Sequence, residues 1–401
     1  MMTGKMLEMI YGATRLIVTT VVGASTAPFQ RMFRTMAPIR SVLRKVNPAG
    51  ARKSSAQFLA GTYTNGVGTL DYKLFIPSGY RGRPLPLVVM LHGCKQNADD
   101  FAIGTRMNAL AEERQCLVVY PTQTQRANGF RCWNWFKAVD QQRDQGEPSM
   151  IAGITRDVIQ TFNVDRRRVY IAGLSAGGAM AVIMGTTYPE LYAAVGVHSG
   201  LAYAGANDLY SAIVAMRSGA RFILQHKDHD AATIASARVM STIVFHGDMD
   251  TTVHPDNGDL VLAQSASNMV DGALLQATDI TVEQGQVPDG HAYTRTIHMD
   301  ASGQPVAEQW LVHGAGHAWS GGSACGSFTD PKGPDATREM LRFLLPNRRK
   351  RSKHLLFPSK INGHYLLRCG YELRIVGWMP AAPAKQNGDS VDSRPLFSCA
   401  R

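Results

Sequence analysis

Ser175 lies in the run Gly173-Leu174-Ser175-Ala176-Gly177, and acidic and histidine candidates follow it later in the chain. A serine hydroxyl is a weak nucleophile alone. It becomes effective when an imidazole takes its proton and a carboxylate steadies the imidazolium. Here an apolar, β-prone run (Val169, Tyr170, Ile171) precedes the serine, and an apolar stretch at 179–185, suited to a helix, follows it. Strand, tight turn and helix are the setting in which Gly-x-Ser-x-Gly exposes a serine hydroxyl. The positions two before and two after the serine are crowded in such a turn, which accounts for Gly173 and Gly177. The helix after it would aim its N–H groups at an oxyanion formed on a bound carbonyl.

The remaining members of such a site should come later, in the order acid then histidine. A run at 241–245 leads into His246-Gly247-Asp248-Met249-Asp250, and a run at 308–312 leads into His313-Gly314-Ala315-Gly316-His317. Asp250 is favoured over Asp248, because its distance from the strand end leaves Asp248 on the tight turn, bonding local backbone. His317 is favoured over His313, which directly ends its strand, because His317 lies in a Gly-flanked loop able to reach across. His246 and His254 read as structural. The oxyanion donors are expected at Ala176, just after the nucleophile, and at Cys94 in His92-Gly93-Cys94-Lys95-Gln96, the loop after another apolar run. A Cys94 thiol paired with a histidine is the alternative nucleophile.

The elements that must hold these residues alternate between strand and helix. Thr and Gly/Asn turns over 62–77 suggest a hairpin, and the continuous apolar run 85–91 reads as a strand buried on both faces. One helix over 99–114 follows, then a strand at 116–120 and a polar, Trp-rich loop at 123–147. A helix at 149–162 leads into the nucleophile strand. Further strands fall at 191–198, 241–245 and 308–312, and a closing helix at 335–345. This alternation predicts an α/β fold with a mostly parallel central sheet and helices on both faces. Ligand-facing groups in such sheets gather at the carboxyl ends of the strands, so all three turns should open on one crevice.

Three segments are expected: a basic segment at 1–55, a catalytic body at 56–346 and a basic tail at 347–401. The formal net charge of +11 resides in the ends: 1–55 carries nine Lys/Arg against Glu8, and 347–401 carries eleven against Glu372, Asp389 and Asp392. The body is therefore mildly acidic, which argues against a nucleic-acid surface. The 55 N-terminal residues include a short apolar stretch at 16–23 preceded by Lys5 and Arg15, readable as a weak secretory signal or an amphipathic helix. No apolar run reaches the roughly 18 residues of a transmembrane helix. None of the six cysteines forms a Cys-x-x-Cys pair, which argues against a zinc or redox centre.

Leu91-His92-Gly93-Cys94-Lys95-Gln96, Arg131-Cys132-Trp133-Asn134-Trp135-Phe136, Gly173 to Gly178, and Gly316-His317-Ala318-Trp319-Ser320-Gly321-Gly322 resemble the polyhydroxybutyrate depolymerase family of esterases. That family is related to feruloyl and acetylxylan esterases. The resemblance covers about residues 57–346. It implies an α/β-hydrolase fold, a Ser175–Asp250–His317 triad, no cofactor, and an extracellular or periplasmic setting, with a cytoplasmic one as the alternative. In an exported protein Cys94–Cys132 is the expected disulfide; in a reducing compartment the same residues would be small buried hydrophobes. Trp133, Trp135 and Trp319 are expected to line the cleft, with core packing as the competing role. The expected activity is hydrolysis of hydroxyalkanoate polyester or its oligomers. Release of ferulate or acetate from polysaccharide is the enzymatic alternative, and a non-catalytic polymer- or granule-binding protein the alternative of another class.

Overall fold

The computed structural model describes residues 55–219, 240–267, 279–300 and 302–349, together with strands at 359–361, 364–369 and 372–378. The N-terminal stretch read as a signal or an amphipathic helix lies outside the described residues. The strands in chain order are β1 (Gln57–Thr64), β2 (Thr69–Ile76), β3 (Leu85–Leu91), β4 (Leu117–Thr122), β5 (Val164–Leu174), β6 (Ala194–His198), β7 (Ser241–Gly247), β8 (Asp279–Gln286), β9 (Ala292–Met299) and β10 (Pro305–Val312). They form one ten-stranded sheet in the order β1-β2-β4-β3-β5-β6-β7-β10-β9-β8. The neighbours from β4 through β3, β5, β6 and β7 to β10 are parallel, and the outer pairs are antiparallel.

The helices are α1 (Ala98–Thr105), α2 (Met107–Arg114), α3 (Gly146–Thr161), α4 (Ala176–Thr187), α5 (Leu209–Ser218), α6 (Asp256–Ser267) and α7 (Ala336–Leu344). Side-chain alternation along the central strands sorts them onto two faces. Leu87, Val89 and Leu91 of β3, with Val169 and Ile171 of β5, enter one core with residues of α3 and α4. Val88 and Met90, with Tyr170, Ala172 and Leu174, enter the other with residues of α1, α2 and α7. Strands buried on both sides need apolar residues at every position, which is why 85–91 is an unbroken run. Each fully buried Leu or Val contributes about 1.5–3 kcal/mol. This is the expected α/β-hydrolase architecture, and among the described residues no helix is long and apolar enough to cross a membrane.

One reading of the chain is corrected. The single helix expected over 99–114 is two, broken at Arg106, whose backbone is left-handed with φ 56°. The Arg106 guanidinium there donates to the Gly321 carbonyl at 2.9 Å and the Asp335 carboxylate at 2.7 Å, so tertiary contacts outweigh the helical propensity of the segment. The chain divides into two units after Arg349, and the second, Lys350–Arg401, is described only in its strands. It contains a three-stranded antiparallel sheet of β13 (Ser359–Ile361), β14 (His364–Cys369) and β15 (Glu372–Trp378), numbered after the short strands β11 (Trp319–Ser320) and β12 (Thr329–Asp330) of the first unit.

Candidate active site

Ser175 stands between β5 and α4 with φ 57° and ψ −121°, a conformation costing a non-glycine residue about 1–3 kcal/mol. Its surroundings enforce it. A Cβ on Gly173 would lie 2.3 Å from the Gly177 carbonyl oxygen, and one on Gly177 would lie 2.1 Å from that of Leu91. The turn is thus pressed against the end of β3, and neither position admits a side chain. The Ser175 N–H donates to the His198 carbonyl at 2.8 Å, and the Ser175 carbonyl accepts from the Ala179 N–H at 3.0 Å. The serine is held at the mouth of the helix.

Asp250 and His317 meet directly: His317 Nδ1 lies 2.7 Å from Asp250 Oδ2. The other Asp250 oxygen accepts the N–H groups of Thr252 and Val253, each at 2.9 Å. His246, buried in β7, bonds the Val253 carbonyl through Nε2 at 2.9 Å and brings the same nitrogen 3.4 Å from Asp250 Oδ2. Burial alone would raise the Asp250 pKa; hydrogen bonds from His246 and His317, the charge of His317 and the Val253 N–H overcome it and hold the carboxyl well below the usual range. The acid is therefore anionic at any ordinary pH. The competing candidates pair with each other, His313 Nδ1 lying 2.9 Å from Asp248 Oδ2.

On the oxyanion side, Ala176 is the first residue of α4, and its N–H belongs to the orphan donors of a helix start. In the loop after β3, the Gly93 N–H bonds Gln96 Oε1 at 2.9 Å and the Lys95 N–H bonds the Phe130 carbonyl at 2.6 Å. Between them, the Cys94 N–H has no acceptor among the described residues. Cys94 is disulfide-bonded to Cys132, with Cα atoms 4.2 Å apart, so its sulfur carries no free thiol and the cysteine-nucleophile alternative is overturned.

The tryptophans do not line a cleft. Trp133 is 0% exposed and Trp319 1%; Trp135 is 6% exposed and packs edge-on against Phe136. Trp133 donates through Nε1 to the His92 carbonyl at 3.1 Å, and Trp319 through Nε1 to Thr337 Oγ1 at 2.9 Å. With their faces in the core and the N–H groups of Trp133 and Trp319 satisfied, they support the loops rather than offer surface.

Three buried polar groups had no assigned part in the sequence. His92 accepts the Gln123 N–H on Nε2 at 3.0 Å while its Nδ1 faces the Gly93 carbonyl at 2.7 Å; burial pushes its pKa down to about 4, so it is neutral. Glu147, in the first turn of α3, receives Gln123 Nε2 and Asn134 Nδ2, each at 2.5 Å, and the Asn134 N–H at 2.8 Å. Burial, with Asp140 nearby, raises its pKa to about 7. His198 closes β6. The signal for His92 and His198 was the recurrence of histidine at the carboxyl ends of parallel strands, where His246 and His313 also lie. Among the described residues no group of three or more His, Cys, Asp or Glu is arranged to hold a metal ion.

Known proteins resemble the chain in both sequence and fold. Poly(3-hydroxyalkanoate) depolymerase C of Paucimonas lemoignei is 29% identical over 289 residues, covering 68% of this chain and 66% of that protein. Acetylxylan esterase A of Talaromyces purpureogenus is 27% identical over 249 residues, covering 56% of this chain and 60% of that protein. The chain thus spans less than two thirds of the length of these relatives. The structure of acetyl xylan esterase from Aspergillus awamori matches with a TM-score of 0.52 at 18% identity, over 71% of this chain and 98% of that one, a likeness of fold. Residues 70–281, more than half of the chain and spanning the serine turn and the Asp250 loop, match the Esterase PHB depolymerase model, and the chain belongs to that family.

Proposed function

We propose that the chain is a serine esterase that hydrolyses hydroxyalkanoate polyester or its oligomers through an acyl-enzyme. The observation that carries this is the 2.7 Å Asp250–His317 pair on the same sheet edge as the strained Ser175 turn. Asp250 engages Nδ1 of His317, which leaves Nε2 to serve as the base for the serine. Ser175 Oγ attacks the ester carbonyl carbon and its proton passes to Nε2. Asp250 stabilises the imidazolium, and the N–H groups of Cys94 and Ala176 receive the oxyanion. Collapse breaks the bond to the leaving alcohol, which takes the proton from His317. Water then attacks the acyl-enzyme with His317 as base, releasing the acid and restoring Ser175. No step calls for a cofactor.

Polyester is the first choice because the depolymerase from Paucimonas lemoignei matches more of this chain than the acetylxylan esterase from Talaromyces purpureogenus. The latter supports the second reading, an esterase acting on polysaccharide side chains. The Cys94–Cys132 disulfide supports an extracellular or periplasmic setting, since such bonds persist in oxidising compartments. The test is product release by purified protein beside a Ser175→Ala control, from 3-hydroxybutyrate oligomers, amorphous polymer, feruloylated arabinoxylan and acetylated xylan. Hydroxybutyrate release that disappears in the control is expected. Ferulate or acetate alone would move the substrate to polysaccharide, and equal release by both proteins would refute esterase action.

A further inference from the structure

His198 makes two connections that meet nowhere else in the described residues. Its backbone carbonyl accepts the Ser175 N–H at 2.8 Å, and its Nε2 accepts the Ser320 N–H at 3.0 Å. Ser320 lies three residues beyond His317. We propose that His198 is a positioning residue that registers the nucleophile turn against the loop bearing the base. This rests on the triad reading above and adds to it the group that fixes the distance between two of its members.

The Ser320 N–H needs this acceptor. Trp319 and Ser320 form β11, whose ladder with β12 uses the N–H groups on either side: Trp319 donates to the Phe328 carbonyl at 2.7 Å and Gly321 to the Asp330 carbonyl at 2.8 Å. Alternation then turns the Ser320 N–H the other way, into the interior, where the residue is 2% exposed. A buried N–H is rarely left unpaired. The His198 ring is presented to it in a fixed pose. It stacks on Trp319 at 5.2 Å and 27° and on Phe245 at 5.9 Å and 16°, and Nδ1 lies 3.2 Å from Ser199 Oγ.

An acceptor at Nε2 requires an imidazole with its proton on Nδ1, and that proton faces Ser199 Oγ. Burial first, then His246 and His317, pushes the His198 pKa down to about 3, with only Asp250 opposing. The ring is therefore neutral at pH values well above 3, and Nε2 stays an acceptor there. A charged ring would donate at both nitrogens and repel the Ser320 N–H.

The test is the acceptor, separated from the packing. Gln at 198 can set Oε1 near the place of Nε2, whereas Met fills similar volume without an acceptor. We would measure kcat and KM for a soluble p-nitrophenyl ester, and the rate at which a fluorophosphonate labels Ser175, in wild type, His198→Gln, His198→Met and Ser175→Ala, with melting temperatures alongside. The expected result is a loss of about 10–100-fold in kcat and labelling rate for His198→Met with KM within about twofold, and recovery to within about threefold of wild type in His198→Gln. Equal losses in Gln and Met, or wild-type kcat in Met, would overturn the proposal. If neither variant folds, Ser199→Ala takes their place: a drop of about threefold or more in kcat at unchanged KM supports it, and wild-type kcat overturns it. An active Ser175→Ala would sink the triad reading and this inference with it. A silent Ser175→Ala beside an unaffected His198→Met would sink this inference alone.

Discussion

Asp248 and His313 form a second carboxylate–imidazole pair, 2.9 Å apart, one step outside the Asp250–His317 pair on the same two loops. The outer pair ties the loops at their base. Asp248 Oδ1 also accepts the Gly314 N–H at 2.7 Å, and His313 Nε2 lies 2.9 Å from Thr294 Oγ1. The backbones are joined as well, Met249 N–H donating to the Ala315 carbonyl at 3.0 Å. The two pairs should therefore differ in kind. Asp248→Asn is expected to lower kcat about three- to tenfold by loosening the loop, and Asp250→Asn about a thousandfold or more by releasing the imidazole tautomer. Steady-state kinetics on a soluble ester separates them, and similar losses in the two variants would contradict the assignment.

The pH dependence of stability should carry the mark of Glu147. Its folded pKa, about 7, lies above the 4.5 of an unperturbed glutamate. Between those values the folded state binds more protons than the unfolded one, so this group makes the protein less stable as pH rises through that window. The neighbouring Asp140, also raised by burial, acts in the same direction. Urea midpoints between pH 4.5 and 7.5 should fall less steeply in Glu147→Gln than in wild type. A parallel pair of curves would show that the carboxyl does not titrate there.

Asp250 has the opposite sign. Its depressed folded pKa gives stability that is fully present above about pH 4 and is lost as pH falls further. Acid unfolding below pH 4 is expected to be shallower in Asp250→Asn, followed by circular dichroism.

Reduction should weaken both fold and site. Cys94 and Cys132 enclose a loop with a sequence separation of 38, for which a disulfide typically contributes about 2–4 kcal/mol. Cys94→Ser/Cys132→Ser is expected to melt several degrees lower and to lose kcat more than KM, since the Cys94 N–H is the proposed oxyanion donor. Unchanged kcat in the folded double variant would remove Cys94 from that role.

Gly177→Ala should abolish fluorophosphonate labelling of Ser175, because its Cβ would meet the Leu91 carbonyl oxygen at 2.1 Å with only backbone to yield. Labelling at the wild-type rate would mean that the turn is looser than described.

What the sequence made legible is local. The serine turn, the run 85–91 and the expectation that Asp250 rather than Asp248 meets His317 depend on spacing within a few residues, and spacing is written in the chain. The tryptophans were misplaced because burial is a tertiary property: Trp133 finds its acceptor at His92, 41 positions earlier. The break at Arg106 escaped for the same cause, its guanidinium partners lying more than 200 residues away. β8 and β9 went unread because they pair at the sheet margin, where β8 is almost wholly exposed and its apolar alternation stops after Ile280 and Val282. The long loop over 123–147 was foreseen, but its glutamate hub was not, since nothing in a sequence says which carboxylate is desolvated.

The rings of Phe101, Trp319, His198, Phe245, Trp310 and Tyr293 follow one another at centroid spacings of 4.8–5.9 Å, a column running across the sheet behind the catalytic edge. Rings locked in an asymmetric surrounding absorb left- and right-handed light unequally, so Trp319, Trp310 and Tyr293 of this column should contribute to the near-ultraviolet dichroism of the protein beside the buried Trp133. A shift of the serine turn against the base loop would move His198 against Trp319 and so change the contribution of Trp319 to the optical signal of the resting enzyme before any substrate is added.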